Sequence, residues 1–115
     1  MIVNLCGDHL VRLQREDGRI LELEYVGECA RVNFTQRRVG DIDGVPIYKN
    51  CAGKISGLPE PQEGVVYVVS RLLAESAKRL DVCCPNSAPW HVVCRDGNGK
   101  PSMVDSLITY GGNGC

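Results

Sequence analysis

The chain has 115 residues, 43% of them apolar and 5% aromatic, with thirteen basic against fourteen acidic side chains for a formal charge of −1. A chain this long makes one domain and buries about two thirds of its unfolded surface, so it needs neither disulfides nor a metal to hold a core. The balanced charge argues against a protein that grips duplex nucleic acid through its phosphates. No apolar run approaches the ~18–20 residues of a membrane span. Seven cysteines, an odd number, without a charged leader predict free thiols in a reduced, cytoplasmic setting.

In chain order, Ile2 to Leu5 and Leu10 to Gln14 read as short strands. Asp17-Gly18 marks a tight hairpin turn into an alternating segment, with Leu21, Leu23 and Tyr25 facing inward and Glu22 and Glu24 outward. Arg31 to Gln36 alternates again, with Val32 and Phe34 inward. Asp43-Gly44 is a second hairpin signal, and Pro46 puts the strand Val45 to Tyr48 at a sheet edge. Lys54 to Ser56 adds a short strand before the loop Gly57-Leu58-Pro59-Glu60-Pro61-Gln62-Glu63-Gly64.

Val65 to Val69 is apolar at every position, which predicts a central strand covered on both faces. Ser70 follows as a helix cap for residues 71–80, with Leu72, Leu73, Ala77 and Leu80 as the buried stripe. Val82 and then Val92 to Cys94 are strand-like, Asp96-Gly97-Asn98-Gly99 is a third turn, and Met103 to Tyr110 reads as a final strand. Together these elements predict an α+β fold, a small twisted antiparallel sheet or partly open barrel packed on one central helix. Residues 1–110 form the single globular domain and 111–115 a flexible tail.

Cys83, Cys84, His91 and Cys94 are the weak candidates for a metal, because thiolates and imidazole suit zinc. Their spacing matches no familiar zinc pattern, and adjacent cysteines in a strand face opposite ways. Buried thiols beside a loop histidine are therefore the expectation, with no metal and no cofactor. Cys6 with His9 and Cys94 with His91 are the pairs from which a thiol nucleophile would be built. Neither carries a motif, no phosphate-binding glycine loop is present, and no catalytic residues are assigned. A site for an anion is better founded: Ser70 and Arg71 open the helix, and Arg31 and Arg95 lie on strands or their ends.

The order of features from Met1 to about Gly97 resembles a family of small proteins of bacteriophages and of actinobacterial or cyanobacterial mobile elements. The shared features are Asn4-Leu5, Ala30-Arg31-Val32, the Gly57 to Gly64 loop, Tyr67-Val68-Val69-Ser70, and then Asp81, Pro85 and Arg95-Asp96. Cys6-Gly7-Asp8-His9 stands where that family has Thr-Pro-His. The resemblance implies a phage or prophage accessory protein acting in the host cytoplasm. Such a protein is expected to counter host defence by binding, with a small nucleotide signal or a defence protein as partner. The residues themselves, a rigid loop with convergent donors and no catalytic set, give the ligand-binding set Arg31, Pro59, Glu60, Tyr67, Ser70, Arg71 and Arg95. A protein–protein inhibitor or virion-associated structural module pairing through Val45 to Tyr48, and a nucleotide-cleaving enzyme, are the alternatives. A homo-oligomer is a further expectation.

Overall fold

The computed structural model describes residues 1–7, 10–24, 27 and 29–112. Among the described residues, ten strands and one α-helix follow in order: β1 (Ile2–Asn4), β2 (Val11–Gln14), β3 (Ile20–Leu23), β4 (Arg31–Ile42), β5 (Val45–Ser56), β6 (Val66–Val68), α1 (Arg71–Ala77), β7 (Val82–Pro85), β8 (Val92–Arg95), β9 (Pro101–Val104) and β10 (Leu107–Thr109). A one-turn 3-10 helix, Pro89–His91, precedes β8.

The strands form two four-stranded sheets, in the orders β1-β6-β7-β10 and β3-β2-β9-β8, and a separate two-stranded ribbon, β4-β5. Both larger sheets are mixed: β1, β6 and β7 run parallel with β10 antiparallel, and β2 runs parallel to β9 but antiparallel to β3. The expected single antiparallel sheet or partly open barrel is thus replaced by three separate sheets, and none of them closes.

The first sheet lies between two apolar clusters, because its strands alternate. Tyr67 and Val69 of the β6 segment join Leu5, Val82, Leu73 and Ala74 on the helix side. Val68, between them in sequence, points the other way and meets Val11, Leu13 and Val104 of the second sheet. The unbroken apolar run read as a doubly covered strand is that, and Val68 and Val69 are both 0% exposed.

Asn4 is the one buried polar side chain among the described residues of this core. Its amide donates to the Leu23 carbonyl at 2.8 Å and its Oδ1 accepts from the Cys6 N–H at 2.9 Å, so it joins β1 to β3 of the other sheet. A buried amide is retained at low cost only when its bonds are made.

The helix differs from its sequence reading in length, cap and face. It ends at Ala77, because Lys78 turns into the left-handed region (φ 51°) and returns its N–H to the Ala74 carbonyl. Ser70 occupies the N-cap position, but its side chain makes no capping hydrogen bond. Leu73 and Ala74 are the buried pair, whereas Leu72 and Leu80 are 54% and 67% exposed. Two turns give one narrow buried face, and Leu80 falls beyond the last turn. The segment Met103 to Tyr110 is likewise two strands, β9 and β10, which cross from one sheet to the other at Asp105-Ser106.

The hairpin at Asp43-Gly44 forms as expected: both residues have positive φ (51° and 78°), the two-residue turn that suits strand twist. The ribbon it closes is much longer than the fragments Arg31 to Gln36 and Val45 to Tyr48 suggest. Only its base is embedded, where Val32 and Ile55 pack on the helix-side cluster. The inward placement of Tyr25, any pairing of Cys6 with His9, and tail residues 113–115 lie outside the described residues.

Candidate functional site

The parallel strands β1, β6 and β7 end together, and the residues just past their carboxyl ends open on a cleft of about 550 Å3. Leu5 and Cys6 follow β1, Val69, Ser70 and Arg71 follow β6, and Cys84 and Pro85 end β7. The second sheet supplies the facing wall through Val11 and Arg12 of β2 and the run Lys100 to Val104 around β9. Cys29 and Ala30 close one side, where Cys6 and Cys29 stand opposite each other in an isolated antiparallel bridge. The volume falls within the ~300–1,000 Å3 of small-molecule sites, and carboxyl ends of parallel strands are where open α/β sheets place their ligands.

The charged residues among the described lining are Arg12, Arg71 and Lys100, with no Asp or Glu. Two of the cations have an acid behind them: Arg12 Nε lies 3.4 Å from Glu22, and Arg71 Nε donates to Glu75 at 3.0 Å one turn along the helix. Glu75 is also the largest cause of the raised Arg71 pKa. The Arg12 Nε is buried without a hydrogen-bond partner at that distance. Ser70, Ser87 and Ser102 add hydroxyls, and Leu5, Val69, Met103 and Val104 form an apolar floor.

Three thiols, Cys6, Cys29 and Cys84, line the same cleft. Burial, then the neighbouring Cys29 and Cys84, push Cys6 up to about 11, and its thiol donates to the Val68 carbonyl. Burial also raises Cys84. A nucleophilic cysteine needs the opposite shift, so Cys6 and Cys84 stay protonated at neutral pH.

Cys83, Cys84, His91 and Cys94 are not assembled into a metal set: no group of three or more His, Cys, Asp or Glu among the described residues could hold an ion. Cys83 and Cys84 are buried, Cys94 is exposed, and His91 Nδ1 is engaged by Asp105 at 2.7 Å. The Asp105 N–H also bonds the His91 carbonyl, so this pair joins the 3-10 turn before β8 to the loop after β9.

Of the residues read from sequence as a binding set, Ser70 and Arg71 line the cleft. Pro59, Glu60 and Tyr67 belong to a clamp elsewhere: the Tyr67 hydroxyl reaches the Glu60 carbonyl at 3.4 Å, and Arg79 donates to the Pro59 carbonyl at 3.1 Å. Arg31 is exposed at the ribbon base, and Arg95 donates to the Gly99 carbonyl at 2.9 Å across its own hairpin. Arg12 and Lys100 were not singled out. No motif marks them, and they share the cleft only because β2 and β9 pair at Leu13 and Val104.

The clamp has its own charge pair. Arg79 forks onto Asp81 through Nε at 2.9 Å and a terminal nitrogen at 2.6 Å while also holding the loop. The fork is the main cause that holds the Asp81 carboxyl below its usual 3.8. A depressed carboxyl contributes stability above its unfolded pKa and loses it as pH falls through the folded value. Asp81→Asn is therefore expected to cost roughly 1 kcal/mol at pH 7, a modest value because the pair is partly solvated. The gap from wild type should be constant down to about pH 5 and narrow below pH 3.8, read by urea unfolding across that range.

No protein-family model, curated protein or solved structure matches this chain. No helix among the described residues is long and apolar enough to cross a membrane.

Proposed function

We propose that this chain is a binding protein that holds a small anionic, nucleotide-like ligand in the cleft at the ends of β1, β6 and β7. One observation carries the reading: three cations and no acid among the described lining of a cleft in a chain whose net charge is −1. Guanidinium and ammonium groups at the rim suit phosphate oxygens, and the apolar floor suits the face of a base. Burial of Cys6 and Cys84, which raises both thiols, favours capture over thiol chemistry. In the phage setting suggested by the sequence resemblance, capture of this kind would withdraw a host defence signal.

Calorimetry against cyclic dinucleotides and ADP-ribose derivatives tests the reading. Arg71→Ala and Lys100→Ala are each expected to weaken binding about tenfold to a hundredfold, the scale of one lost hydrogen bond to a charged group. Arg95→Ala should leave affinity unchanged, because its guanidinium is spent within the 96–99 hairpin. After heat denaturation the ligand should be recovered intact; a cleaved product would replace capture by catalysis. Absence of binding by every probe at high micromolar concentration removes the proposal.

A further inference from the structure

The distal part of the β4-β5 ribbon, residues 35–50, is the feature that neither the core nor the cleft uses. Every residue from Thr35 to Asn50 is exposed, and the molecule measures 52 Å along its longest axis against 35 and 32 Å. From the Thr35–Cys51 pair to the Ile42–Val45 pair the ribbon runs about 25 Å at the usual rise per residue. A two-stranded ribbon is marginal in water by itself, and among the described residues neither of its outer edges pairs with another strand. Its distal half nevertheless presents Val39, Ile42, Val45, Ile47 and Tyr48, each 45–62% exposed. Such a surface is built to be covered.

Charge identifies the cover. Residues 31–56 hold five basic and two acidic side chains, whereas the rest of the chain holds eight basic and twelve acidic. The ribbon is thus cationic and the body anionic. We infer that the ribbon of one copy clasps the body of a second copy, reciprocally, in a two-fold dimer. Two-fold symmetry makes each copy both donor and acceptor, so the complementary charges meet twice. Exposed Leu72, Leu80 and Trp90 give the body apolar contacts to match. Sixteen exposed ribbon residues, each giving up on the order of 50 Å2, supply about the 800 Å2 per partner of a standard interface. Duplex nucleic acid fits the tip less well, because Asp41 and Asp43 would lead the ribbon toward phosphate. The inference is independent of the ligand reading.

Sedimentation equilibrium of the full chain from 1 to 100 μM tests it. The expected result is a dimer whose dissociation constant rises at least tenfold between 50 and 500 mM NaCl. Val45→Lys/Ile47→Lys should sediment as a monomer with the circular dichroism of wild type and the melting temperature of wild type diluted below its dissociation constant. A second variant, in which Asn-Gly joins Arg37 directly to Lys49, removes the distal ribbon and should also be monomeric. A wild-type monomer at 100 μM, or a dimer that persists in both variants, would overturn the inference. So would a monomer that binds a 20-base-pair duplex with salt-dependent affinity.

Discussion

Leu73→Ala is expected to lower the unfolding free energy by about 2–5 kcal/mol, the range for deleting a fully buried leucine side chain. Leu73 is 0% exposed and sits in the helix-side cluster with Tyr67, Val69 and Val82. A seven-residue helix has too few hydrogen bonds to survive alone, so this side chain, with Ala74 and the partly buried Ala77, holds α1 to the sheet. Leu72→Ala is the control. At 54% exposed in the single copy it should change stability by no more than about 0.5 kcal/mol when unfolding is followed at a concentration where the chain is monomeric. Urea unfolding of both variants gives the comparison, and equal losses would overturn the assignment of the buried face. The Leu73 variant should also weaken the cleft, since Ser70 and Arg71 are placed by the start of the same helix.

Gly57→Ala is expected to be nearly as damaging, at about 2–4 kcal/mol, for a backbone reason. Gly57 has φ +76°, and a Cβ there would lie 2.8 Å from the Cys29 carbonyl oxygen and 3.3 Å from the Ala30 Cα. Both obstacles are main chain, so no side-chain rotation relieves them. Gly64 closes the same loop with φ +74° and open space around it. Gly64→Ala should therefore show only the conformational term, about 1 kcal/mol. A difference of less than 1 kcal/mol between the two variants would mean that the close approach at Gly57 is not maintained in solution. Cys29 and Ala30 also wall the cleft, so Gly57→Ala should reduce ligand affinity while Gly64→Ala leaves it unchanged.

Leu72 and Leu73 show where local pattern runs out. Both fit the helical stripe in sequence, yet only one is buried, because the stripe has a definite centre only when the helix is seated on β7. The final segment teaches the same lesson. Met103 to Tyr110 is apolar enough for one strand, and only the demand of two sheets for edge and central partners divides it at Asp105-Ser106. Within the candidate site, Ser70 and Arg71 were legible because a strand running into a helix places its junction at a strand end. Arg12 and Lys100 were not, because parallel pairing across some 90 residues leaves no trace in local spacing. Tyr67 and Glu60, grouped with the site by their nearness in sequence, serve the loop clamp instead.

What the sequence by itself determined is local: the turns at Asp17-Gly18, Asp43-Gly44 and Asp96 to Gly99, the edge character of the strand holding Pro46, and the double burial of Val68 and Val69. Each depends on the conformational limits or polarity of a few adjacent residues, which act wherever the chain goes. The tertiary structure alone decided that the strands divide into two mixed sheets, that three cations meet over one apolar cleft, and that a basic ribbon stands clear of an acidic body. Those outcomes depend on which distant segments share a sheet, and that choice is made by the burial of the whole chain at once.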